Sequence, residues 1–88
     1  MLFPDQIADA PEDAGVYLLR DAGGNVNHVY HAGNIQRALR EIWTRPADPR
    51  KSATTFEFEI IPDPKARVSR AQVLIERYQP TTQTPKPL

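Results

Sequence analysis

Two stretches of the chain, Val16–Leu19 and Val26–Tyr30, flank the cluster Asp21-Ala22-Gly23-Gly24-Asn25. Gly, Asn and Asp in such a cluster supply turn chemistry, so the pattern predicts a β-hairpin from Val16 to about His31. Helical spacing begins directly afterwards, with Ile35, Ala38, Leu39 and Ile42 at i, i+3, i+4 and i+7. Asn34 precedes them as an N-cap whose side-chain oxygen can accept a first-turn N–H. Pro46 cannot sit in a helix interior, so the helix is predicted to end near Trp43 or Thr44. Residues 45–53, RPADPRKSA, read as a polar loop. Residues 54–61, TTFEFEII, then alternate, with Phe56, Phe58 and Ile60 on one face and Thr55, Glu57 and Glu59 on the other. That period of two predicts a half-buried strand, which Pro62 ends. Asp63-Pro64 is a helix-start signal, a capping residue followed by Pro in the first helical position. The second helix is predicted from Pro64 to about Tyr78, with Val68, Ala71, Leu74, Ile75 and Tyr78 as its apolar stripe and Pro80 as its stop.

The two ends carry weaker patterns. Leu2, Phe3 and Ile7 are expected to pack on the body as a short turn or helix, and Pro11 drives Ala10 towards an extended conformation. Residues 81–88 are polar and proline-rich, and are expected to form a flexible tail. The order is β-β-α-β-α. The expected fold is α+β: one domain over residues 1–80, with a three-stranded, mostly antiparallel sheet and both helices covering a face.

Charge changes this picture little in total and more in detail. Eleven basic residues balance eleven acidic ones, and there is no cysteine for a disulfide or thiolate metal site. The first 21 residues are acidic, whereas Arg37, Arg40, Arg45, Arg50 and Lys51 make the middle basic, and Lys65, Arg67, Arg70 and Arg77 do the same for the second helix. Dedicated nucleic-acid binders are usually basic overall, so neutrality argues for a local basic face at most. The N-terminal residues lack a basic start followed by a long apolar run. Neither a signal peptide nor a membrane span is expected, and a cytoplasmic location is the simplest expectation.

The run from Pro11 to Trp43, PEDAGVYLLRDAGGNVNHVYHAGNIQRALREIW, resembles the core of the GIY-YIG nuclease superfamily. Gly15-Val16-Tyr17 stands as the GIY element and His28-Val29-Tyr30 takes the place of YIG. The ending AQVLIERYQP, residues 71–80, is similar to the C-terminal helix of that family. The resemblance implies a metal-dependent phosphodiester-cutting fold. In that fold one Glu holds a divalent metal, two Tyr position or activate water, and cations meet the charge gathering on phosphate.

Carried over position by position, only Tyr17 matches a reactive group. The second Tyr falls on His28, the Gly of YIG on Tyr30, and the basic residue after it on His31. The Arg of the first helix falls on Ala38, the metal-binding Glu on Ala71, and a late Asn on Gln83. Ala71 cannot ligate a hard cation, and Ala38 offers no charged fork to phosphate. Imidazole at His28 is the mildest change, since it can act as a base near neutral pH. Tyr30 shares the strand face of His28, so its ring is expected to fill the cleft. His28 and His31, an odd number apart, are expected on opposite faces. Trp43 is expected to cap the core.

The resemblance thus implies a catalytically degenerate member acting as a binding module, through a patch of Tyr17, His28, Tyr30, His31, Arg37 and Arg70. A protein partner ranks ahead of nucleic acid, no membrane is involved, and no cofactor is expected. The alternative is a weak endonuclease that cuts DNA with Tyr17 and His28 and requires Mg or Mn.

Overall fold

The computed structural model describes residues 1–80; the tail expected over residues 81–88, with Gln83 in it, lies outside the described residues. The elements are β1 (Gly15–Arg20), β2 (Val26–Ala32), α1 (Ile35–Thr44), β3 (Thr55–Ile60) and α2 (Pro64–Tyr78), with short 3-10 turns at Ile7–Asp9 and Pro49–Ser52. Asp21 organises the hairpin turn: its Oδ1 accepts from the N–H of Gly23 at 2.9 Å and of Asn25 at 3.0 Å. Gly24 takes φ 83°, a conformation that a side chain disfavours. Both helix starts follow the capping logic. Asn34 Oδ1 accepts from Arg37 N at 2.9 Å, and Asp63 Oδ2 from Ala66 N at 2.9 Å. Gln79, with φ 46°, closes α2 in the left-handed region just before Pro80.

The sheet has the order β2-β1-β3, and β1 pairs antiparallel with both neighbours. It is therefore antiparallel throughout. Tyr17 at its centre stands opposite Tyr30 on one side and Phe58 on the other. Every residue from Gly15 to Leu19 is buried, because successive side chains of this central strand feed two separate cores. Tyr17, Leu19 and Phe56 pack with Ile35, Leu39 and Ile42 of α1. Val16, Leu18, Val26 and Val29 pack with Ala71 and Leu74 of α2. The helices accordingly lie on opposite faces of the sheet, which corrects the expectation that they share one. Val68, expected in the α2 stripe, is instead half exposed.

Gly15 is required by packing. A Cβ built there would lie 2.0 Å from the carbonyl oxygen of Glu59, so β3 can approach β1 this closely only beside a glycine. The N-terminus pairs with the outer edge of β3: Met1 N donates to Phe56 O at 3.0 Å, and Phe56 N to Met1 O at 2.8 Å. Phe3 and Ile7 are buried as expected, while Leu2 faces solvent. Trp43 does not cap the core completely. Its ring meets Phe3 edge-on at 5.9 Å, yet 41% of the residue stays exposed, with Lys51 Nζ 4.9 Å from the ring centroid. Among the described residues, no helix is long and apolar enough to cross a membrane.

Candidate functional site

On the α1 face, the end of β2, the middle of α1 and the loop after it enclose a cleft of about 350 Å³. Tyr17 and Ile42, both buried, line it together with the half-exposed Tyr30 and with His31, Glu41, Arg45 and Arg50. Arg50 arrives there because Asp48 caps the 3-10 turn that carries it. Asp48 Oδ1 accepts from the Arg50 backbone N at 2.9 Å and from its Nε at 3.0 Å, and Oδ2 accepts from Nη2 at 2.6 Å. These bonds hold the Asp48 carboxyl down to about 2 and raise the guanidinium of Arg50 above its ordinary value.

The clamped arginine then reaches the sheet. Arg50 Nη1 lies 3.4 Å from His28 Nε2, so that nitrogen accepts and the imidazole proton resides on Nδ1. His28 Nδ1 is buried and has no hydrogen-bond partner. Burial, and secondarily the charge of Arg50, push the imidazole down to about 4. Burial pushes the Tyr17 hydroxyl up to about 12, against the opposing pull of Arg50. At neutral pH both groups are uncharged. Neither is poised to give or take a proton, since an effective acid–base group has a pKa near the working pH.

The structure brings Tyr17, His28 and Tyr30 together: the His28 ring centroid is 5.9 Å from that of Tyr17 and 6.2 Å from that of Tyr30. Tyr30 lines the cleft and is 49% exposed, so the ring is a wall and not the plug expected from its position. His31 joins the same cleft, its ring centroid 4.5 Å from that of Tyr30. Alternation alone places it on the other face, but an edge strand leaves room for the ring to turn around the sheet's margin. Arg37 opens instead onto an adjoining depression of about 330 Å³, with Asn34, Ala38 and Glu41. Arg70 belongs elsewhere altogether: on the α2 face it pairs with Glu59 through two 3.0 Å contacts. Ala38 lines the cleft, whereas Ala71, 2% exposed, is packed in the core beneath α2.

Three cleft residues escaped the sequence reading: Glu41, Arg45 and Arg50. Asp48-Pro49 repeats the cap-and-proline signal of Asp63-Pro64 and marks the turn that delivers Arg50. Glu41 lies three residues after Ala38, on the same side of α1. Nothing local marks Arg45.

A three-stranded antiparallel sheet in the order 2-1-3, entered by a hairpin and flanked by helices, with GVY on its central strand, defines the GIY-YIG fold. Solved structures share it over almost the whole chain. The GIY-YIG N-terminal endonuclease domain of UvrC from Thermotoga maritima, bound to magnesium as its catalytic divalent cation, superposes with a TM-score of 0.79 at 20% identity. That match covers 91% of this chain and 93% of the other. A point mutant of the same domain, also bound to its catalytic divalent cation, gives a TM-score of 0.80 at 20% identity, covering 92% and 93%. No family sequence model and no curated protein matches the chain.

Proposed function

We propose that this domain binds nucleic acid through the Tyr17 cleft without performing metal-dependent cleavage. One observation carries the reading: two guanidiniums, Arg45 and Arg50, share the cleft with the neutral hydroxyl of Tyr17. Arginine suits phosphate because its planar fork stays charged and offers paired donors. The donor set supports the absence of metal chemistry. A cation of the magnesium type wants several hard oxygen ligands. Among the described residues, no three His, Asp, Glu or Cys side chains converge. The Asp48 oxygens are engaged by Arg50, and Glu41 shares its cleft with two positive charges. Ala71, which stands where the family carries its metal-binding Glu, offers no ligand to a hard cation.

The same charges favour nucleic acid over a protein partner. Of the expected patch, Tyr17, His28, Tyr30 and His31 remain at the site. Arg45 and Arg50 take over the cationic role given to Arg37 and Arg70. Asp48 pairs with Arg50 and Glu41 lines the same cleft, so the reading rests on the placement of the Arg45 and Arg50 guanidiniums beside Tyr17 and not on a local excess of charge.

Incubation with supercoiled plasmid and Mn²⁺ is expected to leave the DNA intact. Cutting that Tyr17→Phe abolishes would establish the endonuclease alternative, with Glu41 as the carboxylate nearest to hand. At low salt the wild-type domain is expected to retard DNA in a gel, and Arg45→Glu to abolish the shift. Failure of the wild type to retard any nucleic acid overturns the reading.

A further inference from the structure

The cleft is lined by both aromatic rings and guanidiniums, and that combination says more than general attraction to phosphate. The ring of Tyr30 is half exposed and tilted against His31, with centroids 4.5 Å apart and planes 35° apart. Arg45 and Arg50 line the same cleft. Arg50 is fixed in place by Asp48 and His28.

Resting on the reading that the cleft binds nucleic acid, we infer that its ligand is an unpaired strand, one base stacking on Tyr30 and the adjoining phosphate meeting Arg45 and Arg50. A base in a duplex has both faces covered by its neighbours and presents only edges in the grooves, so it cannot lie on the exposed ring. An unpaired base offers its face, and aromatic platforms combined with cationic grooves recognise such strands with little regard to sequence. The cleft volume of about 350 Å³ falls at the lower end of small-ligand pockets, room for a single nucleotide and not for a double helix.

Fluorescence anisotropy in EDTA tests this with labelled oligo(dT), oligo(U) and a duplex of equal length. The single strands are expected to bind more tightly than the duplex, and the DNA and RNA arms show whether the 2′-hydroxyl matters. Tyr30→Ala is expected to weaken single-strand binding about 5- to 150-fold, the range that one stacked base contributes, and to erase the preference over duplex. Tyr30→Phe should retain both. Lys65→Ala, on α2, serves as the control expected to bind like the wild type. One phosphate met in this way predicts a slope of about −0.7 in the plot of log K against log salt. Equal affinity for single strand and duplex, or a Tyr30→Ala variant as tight as the wild type, overturns the stacking claim and leaves nucleic-acid binding standing. No binding to any of the three overturns both.

Discussion

Lowering the pH from 7 to 4.5 protonates His28 in the unfolded chain but not in the folded domain. An exposed imidazole takes its proton near 6.5, whereas the buried ring beside Arg50 resists until about 4. Below pH 6.5 the unfolded state therefore binds more protons, and stability falls with pH until the folded ring also titrates near 4. Each pKa unit of difference is worth about 1.4 kcal/mol, so the gap amounts to about 3 kcal/mol across that window. In a domain of this size that corresponds to a fall in Tm of roughly 12–24 °C. Asp48, held down to about 2, adds to the loss only at more acid pH, once unfolded carboxyls begin to protonate. The assay is guanidinium denaturation at steps between pH 7 and 4.5 on the wild type and His28→Phe. The wild type should lose most of the 3 kcal/mol, and the variant should be nearly flat over the same range. A wild-type curve without slope between pH 6.5 and 4.5, or a His28 resonance titrating at 6.5 or above, refutes the reasoning. Such a His28 would be available as a general base.

Further outcomes follow from single contacts. Gly15→Ala forces a methyl group onto the Glu59 carbonyl and should cost about 3 kcal/mol, at the upper end of overpacking, read as a shifted denaturation midpoint. Asn34→Ala removes the α1 cap and should cost about 1 kcal/mol, or about 4–8 °C in Tm by calorimetry. Above pH 10 the unfolded Tyr17 ionises while the buried one holds its proton to about 12. Stability should therefore decline from pH 10 towards 12 in the wild type, and less steeply in Tyr17→Phe. Millimolar Mg²⁺ or Mn²⁺ should leave Tm unchanged in differential scanning fluorimetry, since a ligand that binds the folded state would raise it.

Local signals specified the elements well. The Gly-rich turn, Asn34, Asp63-Pro64 and the alternation of Phe56, Phe58 and Ile60 each fix one short stretch by its own chemistry. The placement of the helices on two faces was also written in the chain, in the unbroken apolar run Val16–Leu19. A strand with one wet face alternates, and one covered on both faces does not. Met1 pairing with Phe56 had no such mark, because it joins residues 55 apart through backbone groups that every residue carries. The site divided in the same way. Tyr17, His28 and Tyr30 were legible from strand period and motif. Arg45 and Arg50 were not, because a loop residue's position depends on how the loop returns to the sheet. Arg70 was misplaced for a related reason: its partner Glu59 lies on β3, and only the tertiary fold brings α2 beside that strand.

The most direct test of metal-free binding without cleavage is one titration performed twice. A labelled single-stranded oligonucleotide is titrated with the domain in EDTA and again in Mg²⁺, and each end point is run on a denaturing gel. The account predicts matching binding curves, apart from modest competition by Mg²⁺ for phosphate, and a full-length oligonucleotide in both lanes. Binding that requires Mg²⁺, or strand cutting that disappears in Tyr17→Phe, contradicts it.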